Sequence, residues 1–174
     1  MEVVKFYEPD MNNGFLSNFY IVPFTVHDKY WLSSEHYYQS HKFIFDGCTQ
    51  FQLEISENIR KAATPAIAFA LSRIYINYMD PNWDKPVGLN DISRKIQIMK
   101  DAITYKFTSH PILAAKLKDT YPFKIEEASA DSFWGTGNSN LDDYTYRESE
   151  DLLMTTNVLG KLLYTLRSQL LVQD

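Results

Sequence analysis

Apolar residues recur three and four positions apart through most of this chain, and that spacing constrains its fold more than any other feature. The clearest run is Ile92, Ile96, Met99, Ile103 and Phe107, opened by Asn90 or Asp91, which predicts a helix with one buried face. Ser33-Ser34 offers a cap for a helix from Glu35 to about Phe45. Thr49 to Ala63 sets Phe51, Ile55 and Ile59 four apart. Thr64-Pro65 is a cap followed by proline at the first helical position, and Ile67, Leu71 and Ile74 are the apolar positions behind it. Pro111 starts a short helix through Leu117, and a last helix is expected from about Glu150 to Leu171. Strand-like alternation is confined to Lys5–Tyr7, to two short runs flanking His27-Asp28-Lys29, and to Phe123–Glu127. The expected fold class is α+β, a mostly helical single domain over residues 1–174 with a few short strands.

A chain of 174 residues suits one domain with a real core. Lys and Arg total 17 against 22 Asp and Glu, so the net charge of -5 excludes a global basic field and broad wrapping of nucleic acid, leaving only a local cleft. The single Cys48 cannot form an intramolecular disulfide and has no second thiol for a zinc cluster. The N-terminus alternates apolar and charged residues, so no signal peptide is read there, and no window approaches the roughly twenty apolar residues of a membrane helix. A cytoplasmic or nuclear protein, not secreted and not membrane-bound, is expected. Aromatics reach 15%, too many to place without asking whether some meet a flat ligand. Phe51, Phe69 and Phe107 fall on apolar stripes and are expected in the core; Trp83, Trp134 and Tyr38 sit beside carboxylates, glycines or amides.

Three groups of residues can carry chemistry. On a helix, Glu35, Tyr38, Gln39 and Lys42 share one face and offer a carboxylate, a phenol, an amide and an ammonium. Spacing alone favours the plainer role, in which Glu35 simply suits the positive end of the helix dipole. His36 and His41 lack the spacing of a metal pair, and no metal or cofactor is expected. The second group is Asp131-Ser132-Phe133-Trp134-Gly135-Thr136-Gly137-Asn138, in a long polar loop from Ser129 to Tyr146. Exposed N–H groups there can hold an anion; equally, the segment can be a turn anchored by Trp134. The third is Asn157-Val158-Leu159-Gly160, where glycine within a helix points to a close crossing, and Asn157 either belongs to that crossing or faces a pocket.

Taken in order, these segments resemble the NADAR (YbiA-like) family. Asn13-Gly14-Phe15-Leu16-Ser17-Asn18-Phe19-Tyr20 resembles its LSNFY segment. Trp31 through Phe43 resembles its W-x-x-x-E-H-Y-x-Q-x-x-K-F signature. Trp83, Met99 with Lys106-Phe107, Glu127-Ala128 with Asp131-x-x-Trp134-Gly135-x-Gly137, and Asn157-x-Leu159-Gly160 with Arg167 resemble later motifs, over about residues 6 to 167.

The resemblance implies an N-glycosidase cleaving a ribose–nitrogen bond without a metal. Its substrate would be of nucleotide type, foremost an ADP-ribose adduct of guanine, including in DNA or RNA. The alternatives are phosphorylated ribosylamino-pyrimidine intermediates of riboflavin synthesis, or mere binding of NAD or ADP-ribose. By the same resemblance Glu35 acts at the sugar centre, Asp131 is its partner, and Trp83 and Trp134 stack on base or sugar. Asn18, Lys42 and Asn157 orient hydroxyls or phosphates, and the Gly135-Thr136-Gly137 backbone holds a phosphate.

Overall fold

A computed structural model describes residues 3–85, 92–138 and 156–172. Its contacts group into two units, one of residues 1–20 with 110–174 and one of residues 21–109.

The strand β1 (Val3–Phe6) belongs to the flanking unit, and the central unit begins with a hairpin. β2 (Phe24–Val26) pairs antiparallel with β3 (Lys29–Trp31), Phe24 opposite Trp31. His27 and Asp28 both adopt positive φ, 49° and 60°, the left-handed pair that a two-residue hairpin loop requires. Four α-helices follow among the described residues. α1 (Ser34–His41) is capped by the Ser33 side chain, which accepts from the His36 N–H. α2 (Gln50–Arg60) opens on a capping box between Thr49 and Gln52, and α3 (Pro65–Ile74) on Thr64 with proline at its start. α4 (Arg94–Thr108) follows Ser93 and buries Ile96, Met99, Ile103 and Phe107, as its spacing predicts; the expected start at Asn90 or Asp91 lies outside the described residues. α1 packs against α2, α3 and α4. Phe43, Ile55, Ile59 and Ala68 form a core cluster, with Leu71, Tyr75 and Met79 packed on it.

Two of the three phenylalanines expected in the core lie outside it. Phe107 is fully buried, but Phe51 is 47% and Phe69 43% exposed. Four helical residues overshoot a full turn by about 40°, so Phe51 sits well round from Ile59 on α2. There it meets Tyr75 and Tyr78 edge-on. On α3 only Leu71 of the three expected apolar positions packs on the core. Ile67 and Ile74 face outward, and Pro65, Ala68 and Ser72 face inward. Small residues let α3 approach α1 closely, and that closeness outweighs burial of the larger side chains.

His36 illustrates how α1 is fixed. Its fully buried ring bridges the Ser33 hydroxyl (Nδ1, 2.8 Å) and the Ala62 carbonyl (Nε2, 3.0 Å). The carbonyl can only accept, so Nε2 carries the proton and Nδ1 accepts from Ser33. Burial holds the His36 pKa below its ordinary value, against the pull of the Ala62 carbonyl. A depressed histidine contributes stability that is present above the unfolded pKa of about 6.5 and lost as pH falls through the folded value. We expect His36→Ala to destabilise by about 2–4 kcal/mol in urea unfolding near neutral pH, from lost packing and an orphaned carbonyl.

In the flanking unit, β1 (Val3–Phe6) pairs parallel with β4 (Lys124–Glu127), Val3 opposite Lys124 and Phe6 opposite Glu127. Between them in sequence lies α5 (Pro111–Lys118), and α6 (Val158–Val172) packs on both α5 and β4. The turn expected at Asn12-Asn13-Gly14 forms, with Asn13 left-handed at φ 59° and its side chain donating to the Lys5 carbonyl. The expected helix over Glu150–Leu171 is described only from Val158, its first part lying outside the described residues. Asn157 is therefore not in mid-helix. It immediately precedes α6 at φ 48°, with its carbonyl accepting from Lys161. Among the described residues no helix is long and apolar enough to cross a membrane.

Candidate active site

The polar face read along α1 forms as a buried assembly. Glu35, Tyr38 and Gln39 are each 5% exposed or less. The Gln39 amide donates from Nε2 to Glu35 Oε1 at 2.7 Å. Gln39 Oε1 in turn accepts from the Ser72 hydroxyl on α3 at 2.5 Å. Lys42, just past the helix end, lies over the Tyr38 ring, 5.2 Å from its centroid. Burial in an apolar setting pushes the Glu35 pKa up to about 7, partly opposed by the Gln39 amide and the Lys42 charge. Burial likewise pulls Lys42 down to about 8, opposed by Glu35 and Asp84 and reinforced by Arg73 and Lys95. A carboxyl and an amine that both exchange protons near neutrality thus share one helix face.

Trp83 stands behind this face as a wall. It is 3% exposed, with Tyr38 tilted against it at 5.5 Å and the Arg94 guanidinium over its ring at 5.9 Å. The expected open stacking platform at Trp83 is corrected on this point, because both neighbours already cover the indole. Arg94 fixes the whole corner. It pairs with buried Asp80 at 3.2 Å and donates to the His41 and Ile44 carbonyls. Asp80 accepts from the Asn82 N–H, and its own N–H donates to the Lys42 carbonyl at 2.8 Å. The end of α1 and the Trp83 loop are therefore held by one ion pair.

The second set of candidates lies in the flanking unit. Asn18 is buried there, 7% exposed. Asp131 Oδ1 accepts from the Phe133 and Trp134 N–H groups, both at 2.8 Å, so this exposed carboxylate shapes its own loop. The Gly135 and Gly137 N–H groups donate to the Asp131 carbonyl and that of Thr136 to the Glu127 carbonyl. The phosphate cradle expected from the Gly135-Thr136-Gly137 backbone does not form, since all three donors are spent within the fold. Trp134 is half-buried, its ring edge-on to Phe133 at 4.9 Å. Asn157, expected to orient substrate, instead locks β4: Oδ1 accepts from the Glu127 N–H and Nδ2 donates to the Ile125 carbonyl. Among the described residues no cluster of His, Cys, Asp and Glu has the arrangement of a metal site.

The family model of the NADAR domain matches residues 5–171, which takes in both sets of candidates. The chain belongs to the NADAR domain family. It is 33% identical over 168 residues to a riboflavin biosynthesis protein of Vibrio vulnificus, covering 96% of this chain but 38% of that protein. It is 32% identical over 172 residues to N-glycosidase YbiA of Shigella boydii, covering 98% of this chain and 90% of that one. Its fold matches the NMR structure of E. coli YbiA with a TM-score of 0.74 at 31% identity, over 98% of this chain and 86% of that chain.

Within this NADAR domain the signature from Trp31 to Phe43 divides by physical role. Glu35, Gln39 and Lys42 form a polar face, while His36 and Phe43 are buried in packing. Tyr37 stacks on His41 at 3.9 Å and meets Trp31 edge-on at 4.9 Å. Spacing along the chain does not reveal Ser72, Asp80 and Arg94, because their partners lie 14 to 53 residues away. One signal was available for Ser72: a lone hydroxyl among the apolar positions of α3.

Proposed function

We propose that this chain is an N-glycosidase that hydrolyses a ribose–nitrogen bond, and that the bond joins ADP-ribose to a guanine base. The observation that carries this reading is the buried Glu35 carboxyl, which accepts from the Gln39 amide and feels the Lys42 charge. Departure of a base leaves positive charge on the ribose ring oxygen and anomeric carbon. A carboxylate in a low-dielectric setting stabilises that charge far more than it would in water. With a proton midpoint near neutrality, the same group accepts the proton of the attacking water. Lys42 supplies a cation for hydroxyl or phosphate oxygens. Asp131 and Asn157 hold the loop and strand of the flanking unit.

The name N-glycosidase borne by relatives supports the reaction class. A net charge of -5 fits a single adduct, in DNA or RNA, entering a local cleft better than it fits a long nucleic-acid track. A second reading, cleavage of a phosphorylated ribosylamino-pyrimidine, draws support from the name of the Vibrio relative. The test is incubation with an oligonucleotide carrying ADP-ribosylated guanosine and, separately, with the ribosylamino-pyrimidine phosphate. We expect free ADP-ribose from the first. Ribose phosphate from the second alone would transfer the assignment to the second reading. Turnover of neither, with a melting temperature raised by ADP-ribose, would make the chain a binding module and refute both.

A further inference from the structure

The amide of Gln39 can face Glu35 in two ways, and they are not chemically equivalent. With Nε2 toward Glu35 Oε1, as observed at 2.7 Å, the amide donates and favours a carboxylate. Turned over, it would set its own oxygen against Glu35 Oε1, which is tolerable only if Glu35 carries a proton. The group that decides between them lies on α3. Ser72 is fully buried and its hydroxyl is 2.5 Å from Gln39 Oε1 and 2.9 Å from the Phe69 carbonyl. A hydroxyl has one proton, and the shorter contact takes it. We propose that Ser72 is a positioning residue of the active site: by donating to Gln39 it fixes the amide with N–H toward Glu35 and so maintains Glu35 as the carboxylate.

This rests on the reading of Glu35 as the group that stabilises the sugar cation. Hydrogen bonds that end on an anion are roughly twice as strong as neutral ones and polarise the next bond in the chain. Loss of the Ser72 donor therefore weakens the ionised state of the Ser72–Gln39–Glu35 chain more than the neutral one. Lys42, just past the end of α1, is the charge that acts on Glu35. Arg73 on α3, Asp84 of the Trp83 loop and Lys95 on α4 act on Lys42, and Lys95 pairs with Asp84 at 2.7 Å. On α2, Glu57 pairs with Arg60 and Lys61, and on β3 Lys29 acts on His41.

The test is a carbon-13 NMR titration of the Glu35 carboxyl in the full chain, assigned by its loss in Glu35→Gln. In Ser72→Ala we expect the Glu35 midpoint to rise by about one pH unit, the size of one charge-assisted hydrogen bond. Ser72→Cys keeps a weak donor at the site and should give a smaller rise in the same direction, which serves also if the alanine variant does not fold. With substrate, the acid limb of kcat/KM should move up by the same amount while KM changes little. A midpoint unchanged in folded Ser72→Ala and Ser72→Cys would overturn the proposal. The titration needs no substrate, so a failure of the N-glycosidase reading leaves it intact, and an unmoved midpoint beside a working enzyme would refute the role of Ser72 alone.

Discussion

Glu35→Gln is expected to lower kcat by at least about 10³-fold while leaving the chain folded and able to bind ADP-ribose. The substitution preserves shape, and the new amide oxygen still accepts from Gln39. It removes the negative charge that opposes the sugar cation and the group that takes the proton from water. Stability should move the other way. The folded pKa of Glu35 is raised to about 7 from an ordinary 4.5. As pH rises the unfolded chain ionises first, so the stabilisation present below the unfolded value is lost as pH passes the folded one. Near neutrality and above, wild type thus carries a burial penalty on the order of 2–3 kcal/mol that Glu35→Gln lacks. The variant should melt several degrees higher at about pH 8 and lose that advantage below about pH 4.5. Calorimetric scans at the two pH values check the sign. A variant that is inactive and also less stable at high pH would mean that Glu35 is a structural carboxylate.

Gly160→Ala is expected to have the largest effect on folding. A Cβ at this position would run into the Ile125 carbonyl and come within 2.5 Å and 2.7 Å of the Asn157 side-chain oxygen and nitrogen. Those are the atoms that join α6 to β4, the amide donating to Ile125 and accepting from Glu127. Backbone cannot yield as a flexible side chain can, so α6 must lift from the strand and both bonds fail. Ala normally gains about 1 kcal/mol over Gly within a helix, but the clash and the two lost bonds outweigh it. We expect a net loss of about 3 kcal/mol or more in urea unfolding, a large share of a typical stability of about 5–15 kcal/mol. A variant as stable as wild type would mean that the helix–strand approach at Gly160 is not required.

Local signals were legible in the sequence where the physics is local. Ser33 and Thr64-Pro65 cap the helices they announce, and the Glu35, Tyr38, Gln39 and Lys42 face follows from helical geometry alone. Partners across the fold were not legible. Whether the Gly135–Gly137 N–H groups remain free depends on carbonyls at Glu127 and Asp131 that no spacing rule reveals. Asn157 is read as a ligand-facing amide until its left-handed backbone and its two bonds to β4 are seen. Phe51 and Phe69 mislead because a stripe argument ranks residues by size. At the crossing of α1 and α3 the interior selects small ones, Ala68 and Ser72. That same choice brings a hydroxyl within reach of Gln39.

The central claim is that a buried carboxylate exchanging its proton near neutrality drives cleavage of the ribose–nitrogen bond. Its most direct test is the pH dependence of kcat/KM for release of the base under single-turnover conditions, in wild type and Glu35→Gln. The predicted result is a wild-type rate that climbs through a limb centred near pH 7, where Glu35 ionises, with no such limb in the residual rate of Glu35→Gln. A wild-type rate flat or falling across that span, or a Glu35→Gln protein with the same profile and rate, would contradict it.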